Sequence, residues 1–342
     1  MTDQLNGFDH EQVLIRRGGR SGLPIVVAVH STAAGPAVGG CRLWTYPDWR
    51  AGLADALDLS AAMTVKCAVA GLPRGGGKTV LPLPPGLRLD ADRRRALFLD
   101  VGDAVEDLGG RYFIGEDVGT TAPDLLTIAE RTGRVMGLPT ESGGVGEPAA
   151  PTAAGVLAAI GATCEVVFGT ADPTGLRFAV HGLGQVGGRV ARRLVERGAV
   201  VTAADVDPTR HVPGVATTDP DSLLDLDVDV LVPASLGHLL TREVVARLRC
   251  RAVVGPANNQ LADPSVGDLL VERGITWAPD VVVNGGGAVY VVLRETAQVG
   301  HEEAMKRVDA IGDTVREVLT AAARTGSTPS AAVADLVRRR TA

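Results

Sequence analysis

The feature that most restricts the fold of this chain is the segment LRFAVHGLGQVGGRVARRLVERGAVVTAADVD, residues 176–207. An apolar run, a glycine turn, an amphipathic stretch and a second apolar run ending in acidic residues predict a strand–turn–helix–strand unit. Gly182, Gly184 and Gly187 stand as G-x-G-x-x-G at the strand–helix junction. The first glycine allows the tight turn, the second lets a pyrophosphate approach the backbone, and the third lets helix and strand pack closely. The helix N-terminus favours the negative phosphates. Gln185 and Val186 lie between the glycines, and Asp205 follows Gly182 by 23 residues at the end of the next strand. A carboxylate there accepts hydrogen bonds from ribose hydroxyls and repels a 2′-phosphate, which favours NAD over NADP. Asp207 takes that part if the strand runs longer, and Arg210 leaves an opening for NADP. A bare glycine motif also occurs in α/β domains that bind other ligands; the strand–helix context and Asp205 are what tie this one to a dinucleotide.

VDVLVPAS, CRAVVGPANN and ITWAPDVVVNGGG supply further apolar strands, each followed by a loop, and Ala234 at the end of the first of these is assigned to the same nucleotide site. Strands alternating with helices predict a parallel, doubly wound sheet of Rossmann type. Upstream, EQVLIRR, LPIVVAVHS, GPAVGGCRLW and RYFIGEDVGT read as strands. Helical spacing covers about Trp49–Met63 and Asp92–Leu108, and the glycines of KCAVAGLPRGGGKTVLPLP read as a turn leading into a strand cut short by Pro82 and Pro84. ESGGVGEPAAP, Glu141–Pro151, is the best candidate for an interdomain linker. At 342 residues two domains are expected. The α/β reading is therefore a substrate domain over 1–143 and a nucleotide-binding domain over 144–300, separated by a cleft. A helical C-terminus, about 301–342, is expected to pack back on the first domain.

A net charge of −6 argues against a nucleic-acid partner, which calls for a basic face. No uninterrupted apolar run approaches the ~18–20 residues that cross a bilayer, and the N-terminus, MTDQLNGFDHEQ, is polar rather than signal-like. A cytoplasmic protein without a membrane partner is expected. Cys41, Cys67, Cys164 and Cys250 form no CxxC pair and no ligand-like spacing with the six histidines, so neither a metal site nor a disulfide framework is expected.

Among 34 basic residues only Lys66, Lys78 and Lys306 are lysines. Arginine is effectively always charged, whereas a lysine loses its proton near neutrality when buried or crowded by a second cation. Lys66 and Lys78 lie 12 residues apart around Gly75, Gly76 and Gly77, and Asp117 ends a predicted strand in GEDVGT. Oxidative deamination requires a cation for the substrate carboxylate, an amine to activate water, and a carboxylate to exchange protons with the amino group. Spacing alone leaves open that both lysines are ordinary surface residues.

GPAVGGCRLW, MTVKCAVAGLPRGGGKTV, GEDVGT, GPANNQL and APDVVVNGGG together resemble the glutamate/leucine/phenylalanine/valine dehydrogenase superfamily, in order, from about residue 11 to the C-terminus. The resemblance implies Lys66 as the carboxylate-binding lysine, Lys78 as the catalytic lysine and Asp117 as the catalytic acid/base. It implies Gly39 and Gly40 against the substrate, Thr152, Asn259 and Asn284 beside nicotinamide and substrate, and a homo-oligomer acting on a small amino acid or 2-oxo acid. Gly285, Pro256 and Ala149 depart from the commoner residues at their positions without removing a group the chemistry needs.

Side-chain preference rests on Val38, Gly115, Ala288 and Val291, which match the family's pocket. Glutamate-specific relatives carry a lysine where this chain has Val38, and a carboxylate facing valine loses water without gaining a partner. Gly115 and Ala288 both remove volume relative to leucine-specific relatives, so a bulky apolar substrate such as phenylalanine is expected, with leucine or valine as the alternative. A hydroxy-acid or shikimate-type dehydrogenase leaves the lysine pair unexplained. A non-catalytic NAD-binding sensor is expected to have lost Lys78 or Asp117. His181 and His238, beside the cofactor loops, read as ordinary hydrogen-bonded residues.

Overall fold

The computed structural model describes residues 8–235 and 237–341; the start of the polar N-terminus, residues 1–7, lies outside the described residues. The chain forms two compact units. One runs to Glu147 and includes Val291–Gln298; the other comprises Pro148–Tyr290 and Val299–Arg340.

The first unit is built on a five-stranded mixed sheet. Its strands are β1 (Gln12–Arg17), β2 (Pro24–Val29), β3 (Ala37–Thr45), β4 (Gly75–Leu83) and β5 (Tyr112–Glu116), in the order β1-β2-β4-β3-β5. β3 lies parallel to both β4 and β5, whereas β1 pairs with β2, and β2 with β4, antiparallel. On one face lies helix α1 (Trp49–Val69), capped by Asp48, whose carboxylate accepts from the N–H groups of Arg50 and Ala51. α2 (Ala91–Glu106) and α3 (Ala122–Ala129) complete the unit, and Leu97, Phe98, Val101, Tyr112, Ile114, Leu125 and Ile128 form its fully buried core.

Two expectations are corrected here. Gly75, Gly76 and Gly77 are not a turn: they are the first residues of β4. A Cβ on Gly76 would lie 2.1 Å from the Thr64 nitrogen, and one on Gly77 would lie 2.7 Å from the Tyr112 ring. The glycines therefore let α1 and the neighbouring strands close on β4, and with no side chains they carry no period-2 signal. Helix α1 also runs past Met63 and takes in Lys66, ending before Gly71 with φ of 62°. Pro82 sits inside β4 where β3 alone pairs with it, since the ladder to β2 ends at Val80.

The second unit carries a six-stranded, wholly parallel sheet. Its strands are β6 (Arg177–His181), β7 (Val200–Ala204), β8 (Ala216–Thr217), β9 (Val230–Pro233), β10 (Ala252–Val253) and β11 (Thr276–Trp277), in the order β11-β10-β9-β6-β7-β8. The order reverses between β6 and β9, the switch point at which doubly wound sheets bind their ligands. Helix α4 (Ala149–Phe168) is long and apolar enough to cross a membrane, with more than half of it buried within the unit.

The C-terminal helices belong to this second unit. Helix Ile311–Thr325 lies so close to α4 that a Cβ on Gly312 would sit 2.9 Å from the Ala158 carbonyl, and one on Gly155 would sit 2.8 Å from Ile311 Cδ1. Glycines and alanines on facing helices permit that approach. Between Tyr290 and this bundle the chain makes a π-helical turn, Val292–Thr296, stitched to the first unit. Glu295 accepts from the Gly137 and Val145 N–H groups, and Arg74 donates to the Thr296 hydroxyl.

Candidate active site

In the first unit, the parallel strands β4, β3 and β5 place a buried lysine against a carboxylate. Lys78 lies within β4, 5% exposed, and Asp117 follows directly on β5. Lys78 Nζ lies 2.7 Å from Asp117 Oδ2, and Arg42 Nε on β3 donates to that oxygen at 2.9 Å. The Asp117 backbone is held by Thr120, whose hydroxyl oxygen accepts from the Asp117 N–H at 3.0 Å and donates towards the Cys41 carbonyl at 2.9 Å.

Burial is the largest influence on both partners, and it acts in opposite senses. It depresses Lys78 below its ordinary range; the Asp117 charge resists this and the Arg42 charge adds to it. Burial would raise Asp117, but Lys78 and then Arg42 outweigh it and hold the carboxyl below its ordinary value. The cation that crowds Lys78 is thus Arg42, and Lys66 is not among the leading causes. Lys66 sits half-buried in the last turn of α1.

The flanking glycines have structural reasons of their own. A Cβ on Gly39 would lie 1.8 Å from the Gly77 carbonyl, and one on Gly40 2.7 Å from the Asp117 Cβ. Beneath them the Tyr112 hydroxyl donates to the Gly39 carbonyl and accepts from Thr79. Val38 is fully buried, paired with Gly76 and Phe113. Gly115 is different: among the described residues its Cβ would meet only the Met136 carbonyl, at 3.6 Å, so space rather than a clash lies beside it. Val291, half-buried, opens the Val291–Gln298 segment of the same unit.

The second unit holds the remaining residues. Gly182 has φ of 112°, and Gly187, first residue of α5 (Gly187–Glu196), would place a Cβ 2.1 Å from the Gly182 carbonyl and 2.9 Å from Ala234 Cβ. Among the described residues only the Arg210 guanidinium, at 3.7 Å, lies within 4 Å of a Cβ on Gly184, which leaves the middle of the loop open. Gln185 and Val186 lead into α5, where the Gly188 N–H donates to the Gly184 carbonyl at 3.0 Å and the Val190 N–H to the Val186 carbonyl at 2.9 Å. The pattern suits a pyrophosphate: tight where strand and helix meet, open where phosphate would lie.

Asp205 is anchored by the N–H groups of Leu183 at 2.7 Å and Asp207 at 2.9 Å. Burial would raise its carboxyl, but these bonds, and then Arg210, hold it low and ionised. Two backbone bonds leave a carboxylate with acceptor capacity for ribose hydroxyls. Strand β7 ends at Ala204, so Asp205, not Asp207, stands at the strand end; Asp207 accepts from the N–H and hydroxyl of Thr209. Asn284 donates to the Asn258 side chain at 2.8 Å, while its own buried Oδ1 has no partner. An unanswered acceptor of that kind fits a carboxamide or amine donor. Asn259 follows with φ of 50°. Thr152 abuts the glycine turn, its hydroxyl 2.5 Å from where a Cβ on Gly287 would be, and Ala288 is the half-buried next residue. His181 is bonded to Ser235.

Sequence reasoning missed Arg42, Asp55, Tyr46, Thr120 and Asn258. Arg42, Thr120 and Asn258 were visible inside the quoted motifs; no spacing joins Asp55 or Tyr46 to them.

A glycine turn shaped for a dinucleotide, together with a buried amine–carboxylate pair, defines an oxidoreductase that acts on CH–NH2 donors. Residues 16–138 match the Glu/Leu/Phe/Val dehydrogenase dimerisation domain, and residues 206–334 match the Glutamate/Leucine/Phenylalanine/Valine dehydrogenase domain. The chain is 37% identical to a leucine dehydrogenase of Thermoactinomyces intermedius over 97% of this chain and 91% of that one. It is 37% identical to a phenylalanine dehydrogenase of Caldalkalibacillus thermarum over 94% and 87% of the two chains. The crystal structure of L-tryptophan dehydrogenase from Nostoc punctiforme superposes with a TM-score of 0.85 at 32% identity, covering 97% of this chain and 96% of that one. The chain belongs to the glutamate/leucine/phenylalanine/valine dehydrogenase family, whose reactions depend on a pyridine nucleotide.

Proposed function

We propose that this enzyme catalyses the NAD-dependent, reversible oxidative deamination of a bulky apolar L-amino acid to its 2-oxo acid and ammonia. The observation that carries the reading is the buried Lys78–Asp117 pair, 2.7 Å apart. A bound nicotinamide supplies the hydride acceptor. Gly182, Gly184, Gln185, Val186, Gly187 and Ala234 would hold its pyrophosphate, Asp205 its ribose, and Thr152, Asn259 and Asn284 its carboxamide end.

The chain's own residues do the rest. Lys66 binds the substrate carboxylate. Asp117 takes a proton from the substrate ammonium, leaving the free amine whose Cα–H is oxidised to an imine. The amine of Lys78, depressed by burial, accepts a proton from the water that adds to the imine carbon. Asp117 then returns its proton to the nitrogen of the resulting carbinolamine, which leaves as ammonia, while the hydroxyl proton passes to solvent and the carbonyl of the 2-oxo acid forms.

Val38, Gly115, Ala288 and Val291 offer no charge to a substrate side chain. An ionised distal carboxylate against Val38 would cost several kcal/mol, about the penalty of an unpaired desolvated charge, so glutamate is disfavoured. The open space beside Gly115 supports phenylalanine or another bulky side chain. Similarity to leucine dehydrogenases supports leucine or valine as the second reading, with the same mechanism. The match to a domain described as a dimerisation domain supports a homo-oligomer.

The test is initial-rate reduction of NAD with phenylalanine, leucine, valine, tryptophan and glutamate, with NADP in parallel. Fastest turnover with phenylalanine or tryptophan on NAD is the expected result. A leucine or valine preference keeps the mechanism and overturns the pocket assignment. No turnover in either direction leaves a non-catalytic NAD sensor.

A further inference from the structure

Asp117 is gripped by one oxygen only. Arg42 Nε and Lys78 Nζ both lie on Oδ2, and Oδ1 accepts no hydrogen bond from the described residues. Arg42 is itself held from behind. Its Nη1 donates to Asp55 Oδ2 at 3.1 Å, and the Tyr46 hydroxyl donates to the same carboxylate. The relay runs from α1 through β3 to the loop after β5. A planar guanidinium suits it, because separate N–H groups reach two carboxylates on different elements at once.

We propose that Arg42 is a positioning residue for the deamination: clamped by Asp55, it pins Asp117 Oδ2 so that Oδ1 is presented to the reacting amine. The inference rests on the role given to Asp117 above. The groups around Asp117 leave Arg42 and Lys78 in control of its charge. Cys41 on β3 and Tyr112 on β5 are fully buried, and burial pushes both upward, so they stay neutral. Glu116, next to it on β5, is also pushed up by burial. The Arg94–Asp124 pair, from α2 and α3, neutralises itself at 2.6 Å. With Arg42 gone, Lys78 is the remaining cation and Asp55 becomes an added negative charge, so Asp117 must hold its proton to higher pH.

The full-length Arg42→Gln, Arg42→Lys, Asp55→Asn and Asp117→Asn variants test this. The Asp117 carboxyl carbon, followed against pH by NMR in 13C-aspartate-labelled protein, reads the carboxyl whether or not the enzyme turns over. Arg42→Gln is expected to raise that midpoint by about one pH unit or more. It is also expected to lower kcat about 100-fold, with the KM for the 2-oxo acid little changed. Arg42→Lys restores the midpoint but only part of kcat, because one ammonium cannot hold both carboxylates. Asp55→Asn lowers kcat in the same sense by a smaller factor. An unmoved Asp117 midpoint in folded Arg42→Gln overturns the proposal, as does native kcat in that variant when Asp117→Asn is slow. Native turnover by Asp117→Asn instead removes Asp117 from the chemistry, and the proposed function's mechanism falls with it.

Discussion

Gly40 is a glycine because Asp117 stands where its side chain would be: a Cβ on Gly40 would lie 2.7 Å from the Asp117 Cβ and 2.8 Å from the Glu116 carbonyl. Adjacent parallel strands bring the two together, with Gly40 opposite Gly115 and Cys41 opposite Glu116. The emptiness of one residue thus sets the position of the carboxylate next to it.

Gly40→Ala must therefore displace Asp117. A shift of about 1 Å at a reacting group costs on the order of 100-fold in rate. We expect kcat to fall by that factor while the NADH dissociation constant, read by fluorescence titration, stays unchanged. A native kcat would show that Asp117 tolerates the shift.

Gly115→Ala is expected to behave in the opposite way. The added methyl meets only the Met136 carbonyl, at 3.6 Å, an ordinary contact. Stability should hold within about 0.5 kcal/mol. The smaller space should lower the ratio of kcat/KM for phenylalanine over leucine by about 10-fold or more. An unchanged ratio would remove Gly115 from the pocket wall.

Lys78 must be neutral to accept a proton, and burial favours that form. The rate of deamination should rise with pH as Lys78 loses its proton, with a midpoint below the ordinary 10.5. Lys78→Arg keeps the charge but cannot deprotonate in this range. It should lose about 100-fold or more in kcat, together with that limb of the pH profile. Retention of the limb in the variant would assign it to another group.

Asp100 on α2 ties down the turn between β1 and β2. It accepts from the N–H and hydroxyl of Ser21, each at 2.8 Å, and from Arg20 Nη1 at 2.8 Å. Burial would raise its carboxyl, but these donors outweigh it and lower it below 3.8. Its contribution is therefore complete above about pH 4 and is lost as pH falls through the folded value. Asp100→Asn should destabilise the protein by about 1–3 kcal/mol in urea unfolding at pH 7. The gap to wild type should narrow below pH 4; a gap that is constant with pH would refute the charge argument.

The second unit was legible because its logic is local. One strand, one glycine turn and one helix bring Gly182, Gly184 and Gly187 to their places whatever else the chain does, and Asp205 arrives on the next strand. The lysine–glycine–lysine block was legible as a motif, but its geometry was not. Three consecutive glycines read as a turn, and only the approach of Thr64 and Tyr112 shows why β4 begins there.

By itself, then, the sequence determined what neighbours along the chain can determine: the β6–α5–β7 unit, the strands of both sheets apart from the two-residue β8, and candidate residues for the chemistry. Tertiary structure decided which of those residues meet. Lys78, Asp117, Arg42 and Asp55 come from β4, the loop after β5, β3 and α1, and no periodicity links them. It also decided that helix Ile311–Thr325 lies on α4, where Gly155 and Gly312 let backbones close in. An apolar helix face does not encode its partner, and only close packing selects it.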